Sequence, residues 1–271
     1  MIELANVDQR LLDDITVVVD ELEREVGLDP DQVLVVGAGC RDILHSALGH
    51  TFPVRATTDT DLGIAVGDWS ISERLETRYR RSGTNGIRYL VNDLPVDIMP
   101  FGRIENPPGV SRPRVRDADL VVFGFRDVHE RALRLPLSNG RWVRLPQAAG
   151  YAVLKMRSWI DRLAFEDKDA RDLALAAFWY QESPEVRARL YDTDAGFEIL
   201  TACGFDTDLA AVRILGLDAA GQLAPGNRQD LARRWGTLDL DTLARSFVLP
   251  VGAKRPTGLD RRRALVAQLA G

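Results

Sequence analysis

Asp59 and Asp61 stand two residues apart in a stretch, Asp59 to Val66, whose alternation and β-branched residues predict a strand. Side chains two apart on a strand share a face, so both carboxylates can address one cation cluster. Asp97 is a third carboxylate, set among Val96, Ile98 and Met99 in a second predicted strand, where an ionised group is costly unless it faces a polar site. Hard oxygen donors of this kind hold magnesium beside substrate phosphates, and a pair of such ions can activate an attacking hydroxyl while stabilising a leaving pyrophosphate. The ordinary alternative is that Asp59 caps a turn after Thr57-Thr58 and Asp61 faces solvent.

Gly37-Ala38-Gly39 follows the apolar run Val33 to Val36 and precedes a helical stretch, Arg41 to Leu48. Backbone N–H groups at such a turn can approach a phosphate closely, because glycine carries no side chain to fend it off. Arg41 is a further candidate phosphate contact, and Asp42 a residue that caps or orients the helix. Glycine is also the default wherever a chain bends sharply, so the turn gains meaning from the acids that could share its ligand. The same loop partly matches the dinucleotide-binding pattern, with Asp59 about 20 residues on where a ribose-binding acid belongs. Asp42 stands in place of the third glycine of that pattern, and a dinucleotide site leaves Asp61 and Asp97 without a role.

In the second half of the chain Lys155, Trp159 and Arg162 recur on one helix face, followed by Lys168, Asp169, Arg171 and Asp172. Lys155 and Arg162 could reach phosphates, with the Lys155 ammonium held over a site and not deeply buried. Local ion pairing by Asp169 and Asp172 on a solvated face is the equally ordinary alternative. Trp159 and Trp179 fit a core. His45, His50 and His129 have neither triad nor metal spacing, and Cys40 fits a small packing residue.

These residues need elements to hold them. Leu12, Ile15, Val18, Val19, Leu22 and Val26 repeat at helical spacing and predict a first helix over Gln9 to Val26. Trp69 to Arg81 predicts another. Ile87 to Val91 and Pro95 to Met99 flank Asn92-Asp93 as a hairpin, and Leu135 to Leu137 and Trp142 to Leu145 flank Ser138-Asn139-Gly140 as a second. Between them lie a proline-rich surface loop, Asn106 to Pro113, and a strand, Leu120 to Phe125. From Gln147 onward helical spacing dominates, through Arg162 and then Asp169 to Tyr180, Pro184 to Leu190, Leu209 to Leu215 and Gln229 to Trp235. The expected class is α+β: a small mixed-sheet domain over residues 1–146 and a helical domain over 147–271.

Composition sets the outer bounds. The 271 residues carry 35 basic and 40 acidic side chains, a formal charge of -5, which argues against a uniformly basic coat for nucleic acid. Arg74, Arg78, Arg80, Arg81 and Arg88, and Lys254, Arg255, Arg261, Arg262 and Arg263, form local basic runs. Cys40 and Cys203 are far apart, which suggests neither a disulfide framework nor a zinc site, and fits a reducing compartment. No apolar run approaches the roughly 20 residues that span a bilayer, so the expectation is a soluble, cytoplasmic protein without a membrane partner.

Taken in order, VVGAGCRD (35–42), RATTDTDLGIAV (55–66), PVDIMPFG (95–102), KMRSWIDR (155–162) and KDARDL (168–173) resemble bacterial nucleotidyltransferases of the AbiEii abortive-infection toxin type. The resemblance runs from Val33 to Tyr180. It implies the polymerase-beta-like nucleotidyltransferase fold, a small mixed sheet carrying a glycine motif, an Asp-x-Asp strand and a third acidic strand. By that resemblance Gly37 and Gly39 contact a nucleoside triphosphate, Asp59, Asp61 and Asp97 bind magnesium, Lys155 matches the family's lysine, and Asp169 and Asp172 fall in its last motif. It further implies an RNA acceptor such as a tRNA 3' end, and a toxin with a cognate antitoxin. The superfamily often has Gly-Gly or Gly-Ser where this chain has Gly37-Ala38-Gly39. The glycine segment also resembles that of the tRNA nucleotidyltransferases that add CCA ends, whose template motif is not evident here. The competing classes are a small-molecule, antibiotic-modifying nucleotidyltransferase and a noncatalytic nucleotide-binding module.

Overall fold

The computed structural model describes residues 3–55, 60–116, 118–162, 166–255 and 258–270. Asp59 lies outside them. The chain divides into two compact units, one formed by Ile2–His50 with Ala56–Gln147, the other by Thr51–Arg55 with Ala148–Gly271.

In the first unit helix α1 (Arg10–Val26) buries all six apolar residues of its predicted stripe, and Gly27 ends it in the left-handed conformation. Strand β1 (Val33–Val35) follows, buried throughout. Helix α2 (Gly37–Ala47) begins at the first glycine, four residues earlier than the periodicity suggests. Val36 is extended before it, and Gly37, at φ +62, makes the corner that only a residue without Cβ makes cheaply. Strand β2 (Thr60–Val66) comes next, then helix α3 (Ser70–Arg78). The hairpin of β3 (Arg88–Val91) and β4 (Leu94–Gly102) turns at Asn92 and Asp93, both at positive φ, as a two-residue primed turn requires.

Two features depart from the sequence expectation. The strand foreseen at Leu120 to Phe125 is only β6 (Leu120–Val121), paired with β5 (Val110–Ser111) inside what reads as a surface loop. Gly124 then adopts the left-handed conformation and opens an unforeseen helix, α4 (Phe125–Arg131). Strands β7 (Leu133–Pro136) and β8 (Trp142–Leu145) close the unit as the second hairpin.

The main sheet has six strands in the order β3-β4-β2-β1-β8-β7. Pairing is mixed: β2 runs parallel to β4 and β1 parallel to β8, whereas β1 and β2 are antiparallel. That last pairing excludes the dinucleotide-binding alternative, whose β-α-β unit needs a parallel crossover around the glycine turn. Phe125 at the start of α4 packs on the bare backbone of Gly63, edge-on to Phe101 at 5.6 Å.

The second unit is helical: α5 (Ala148–Arg162), α6 (Lys168–Glu182), α7 (Pro184–Asp192), α8 (Asp194–Ala202), α9 (Thr207–Gln222), α10 (Pro225–Trp235), α11 (Leu240–Ser246) and α12 (Leu259–Gln268). Helices α5, α6 and α9 pack on one another, with Trp159 and Trp179 in the core. Gly216 of α9 lets the main chain at Leu269 come so close that a Cβ there would lie 2.7 Å from its carbonyl oxygen. The segment Thr51–Arg55, aperiodic in sequence, belongs to this unit, where Phe52 meets Phe178 edge-on at 5.4 Å. Among the described residues no helix is long and apolar enough to cross a membrane. The class is α+β, as expected.

Candidate active site

Parallel pairing of β2 and β4 sets Asp61 opposite Asp97 in register. Register partners in neighbouring strands project to the same face, and the strands lie about 4.8 Å apart. On the other side of β4 the hairpin register places Arg88 opposite Asp97. Arg88, Asp97 and Asp61 therefore form a row across β3, β4 and β2. The row is carried on to Val36, just past β1, whose amide donates to the Asp61 carbonyl at 3.1 Å.

Immediately after Val36 the chain turns into α2, and here the glycine is required by contact as well as by conformation. A Cβ on Gly37 would lie 1.9 Å from Asp61 Oδ2, so the carboxylate rests against this backbone. Gly39 faces no such neighbour, its Cβ position meeting only Val35 Cγ1 at 3.8 Å. The amides of the first turn of α2 have no partners within the helix and carry its positive dipole end, so the corner offers donors to an anion beside the Asp61 carboxylate. Arg41, one turn on, is fully buried, and its Nε donates to Asp42 Oδ1 at 2.7 Å. Its charge is thus engaged inside the fold of α2.

Asp97 is 9% exposed and is held by two side chains. Arg88 donates from Nε to Oδ1 at 2.7 Å and from Nη2 to Oδ2 at 3.0 Å, a two-pronged pair, and Asn85 Nδ2 donates to both oxygens at 3.2 Å. Asn85 is itself fixed: its Oδ1 accepts from the Ile87 and Arg88 amides, each at 3.1 Å, and its carbonyl accepts from Arg116. That arrangement decides which way the amide points and aims Nδ2 at Asp97. Sequence reasoning passed over Asn85 and met Arg88 only as one cation of a basic run. Counting outward from the Asn92-Asp93 turn would have set Arg88 across from Asp97.

The donor chemistry suits magnesium. Asp61 and Asp97 present hard oxygens side by side on one face, next to a backbone corner able to bind phosphate. Asp59, two residues before Asp61, is outside the described residues, and among those described no group of three acids, cysteines or histidines is arranged to hold an ion.

The second set of candidate residues comes together in the helical unit. Lys155 Nζ on α5 lies 3.2 Å from Asp169 Oδ1 and 2.6 Å from Asp172 Oδ2 on α6, and Arg162 Nε lies 3.3 Å from Asp169 Oδ2. The expected open position of Lys155 is not found. Lys155 is 9% exposed, over the Tyr151 ring, while Asp169 is fully enclosed. Burial opposes the Lys155 charge, but the Asp172 and Asp169 carboxylates outweigh it and hold the ammonium above its ordinary pKa. Two cations balance two acids.

Several cations of the basic runs are also engaged. Arg74 donates to the Val26 carbonyl, Arg78 pairs with Glu25, Arg255 with Glu182 and Asp208, Arg261 with Asp206 and Asp208, and Arg263 with Asp241 and Asp260. His45 is buried and His129 Nε2 lies 3.0 Å from the Asp31 carbonyl oxygen. Cys40 is enclosed in α2.

No model of a known protein family matches this chain, and no curated protein matches it either.

Proposed function

We propose that the sheet unit is a magnesium-dependent nucleotidyltransferase domain, moving a nucleotidyl group from a nucleoside triphosphate to an acceptor hydroxyl. The observation that carries this reading is the pairing of Asp61 with Asp97 across parallel strands, with Gly37 pressed against Asp61. One site then offers carboxylates for a cation and amides for the phosphates that accompany it. The resemblance of the ordered motifs to AbiEii-type nucleotidyltransferases supports the same chemistry.

In this reading Asp61 and Asp97, with Asp59 as the third acid, hold the cation, and Asp97 is placed to take the proton of the acceptor hydroxyl. The first-turn amides of α2, at Gly37 to Gly39, orient the triphosphate. Magnesium, when bound, neutralises phosphate charge and makes the acceptor hydroxyl a better nucleophile. Lys155, enclosed with Asp169 and Asp172, keeps the α5–α6 pair together.

The acceptor we propose is RNA, as a tRNA 3' end, with the protein acting as the toxin of a toxin–antitoxin pair; this part rests on the resemblance alone. The test is incubation of the chain with each labelled nucleoside triphosphate, magnesium and total cellular RNA. Label in RNA supports the proposal. Label only in small hydroxyl compounds replaces the acceptor and the toxin role with a small-molecule enzyme. Nucleotide binding with no transfer to any acceptor reduces the unit to a binding module.

A further inference from the structure

The sheet face that carries the acid row continues beyond it. Leu34 on β1 is in register with Gly63 on one side and Arg144 on the other, and Arg144 is in register with Arg134. Trp142, two residues before Arg144, shares that face. Strand spacing and rise put its main chain roughly 15 Å from that of Asp61. Trp142 is 43% exposed, yet its ring is fixed: Nε1 donates to Asp31 Oδ1 at 2.9 Å, and the Arg134 guanidinium stands over the ring at 5.0 Å. Asp31 also holds Arg144, at 2.8 Å, and its turn is pinned to β2 by Gln32 Nε2, which donates to the Ala65 carbonyl at 2.9 Å. A ring left in water but held in one orientation has lost its rotamer freedom before any ligand arrives, so stacking on it costs less.

Charge in this stretch runs against that of the chain. From Phe125 to Leu145, Arg126, Arg131, Arg134, Arg141 and Arg144 stand against Asp127 and Glu130, and Asp127 is buried. Arg126 is exposed on α4 and forms no ion pair among the described residues, while Arg131 donates only to the Asp127 carbonyl. The Arg134 side chain is 63% exposed and comes no nearer to Asp31 than 4.0 Å, whereas Arg141 pairs with Glu23. Helix α4 lies on the same sheet face, with Phe125 on Gly63 and His129 against the Asp31 carbonyl. We propose that this stretch binds a single strand of nucleic acid, an unpaired base meeting the fixed Trp142–Arg134 stack and phosphates meeting the arginines of β8 and α4. A base offers a flat face to indole and guanidinium alike, and its backbone brings the negative charge that the arginines lack. That the strand is RNA rests on the acceptor proposed above.

The experiment titrates the full chain with labelled oligouridylate, read by fluorescence anisotropy, with magnesium and nucleoside triphosphate left out. The chains are wild type, Trp142→Phe, Trp142→Leu and Arg126→Gln, each checked by its melting temperature. Trp142→Phe keeps a flat ring but loses the N–H to Asp31. Stacking predicts that it stays within about threefold of wild type, whereas Trp142→Leu binds about tenfold more weakly. Arg126→Gln should lower the dependence of affinity on salt. No binding by the wild type overturns the proposal, and equal weakening by Phe and Leu shows that the ring only holds Asp31 and overturns it as well. Polyglutamate bound as tightly as oligouridylate replaces the nucleic acid with an acidic protein. Oligothymidylate bound more tightly than oligouridylate overturns the choice of RNA. Should Trp142→Leu misfold, oligouridylate must quench the indole fluorescence of the wild type more than that of Trp142→Phe, and an equal quench in both overturns the stack. Trp142-dependent binding by a chain that transfers no nucleotide removes the nucleotidyltransferase and leaves this surface standing. Transfer to RNA with the same KM in wild type and Trp142→Leu does the reverse.

Discussion

Two clusters in this chain join aspartates to long cations, and their surroundings differ. In the helical unit Lys155 lies between Asp169 and Asp172, with acid side chains 0 and 5% exposed and a second cation, Arg162, on the far oxygen of Asp169. In the sheet unit the side chains of Arg88 and Asp97 are 27 and 12% exposed, in a row that ends at Asp61 and a bare glycine backbone. The first is enclosed and charge-balanced. A buried pair of that kind is costly to break, and offers a ligand little access. The second sets Asp97, itself largely buried, in register with the half-buried Asp61 beside a bare backbone corner. The same residue types thus serve cohesion in one place and, in the function we propose, chemistry in the other.

Breaking the enclosed cluster should have the largest effect. Lys155→Met leaves two buried carboxylates facing each other without their shared ammonium, and the chain should lose about 3–5 kcal/mol of stability. Urea unfolding measures it. A loss below about 1 kcal/mol, in the range of an exposed pair, would return Lys155 to the open position foreseen from sequence.

A sharper contrast lies in the two glycines. Gly37→Ala adds a methyl within 1.9 Å of Asp61 Oδ2 at a φ of +62. It should cost about 1–3 kcal/mol of stability and displace the carboxylate, weakening Mn2+ binding. Gly39→Ala meets ordinary space, its nearest neighbour at 3.8 Å, and should change stability within about 0.5 kcal/mol. Equal effects of the two would mean that Asp61 does not rest on Gly37.

The smallest expected effect is a pH dependence in the sheet unit. Burial holds His129 below its ordinary pKa of 6.5, although the Asp31 carbonyl beside its ring pulls the other way. The folded chain therefore binds this proton less readily than the unfolded one. Its contribution is fully present above the unfolded pKa and is lost as pH falls through 6.5 toward the folded value. His129→Phe should flatten the fall in melting temperature over that window, whereas Lys155, whose charge is held by its partners, should contribute no slope there. An unchanged profile in the Phe chain would show that His129 is not held neutral.

Much of the scaffold was legible in sequence because the signals are local. The stripe of α1, the Asn92-Asp93 turn and the glycine corner after β1 each depend on residues close in the chain. Helix α4 was missed because Leu120 to Phe123 reads as an apolar strand until the left-handed Gly124 turns it. Helices α8, α11 and α12 are short or rich in charge, and display no clear apolar stripe. For the site, the acids could be named from their spacing, but the Asp61–Asp97 register is a parallel pairing over a long connection that no local pattern fixes. The burial of Lys155 likewise depends on α6 lying against α5.

The most direct measurement is transfer of labelled nucleotide in the presence of magnesium, by wild type and by Asp61→Asn chains matched for melting temperature. The asparagine keeps the volume of the side chain beside Gly37 and removes the charge a hard cation needs. Mg2+-dependent transfer by the wild type is expected, with a loss on the order of 100-fold or more in the variant. Equal turnover by the two folded chains would contradict it, and would mean that the row of Asp61, Asp97 and Arg88 is not where the chemistry happens.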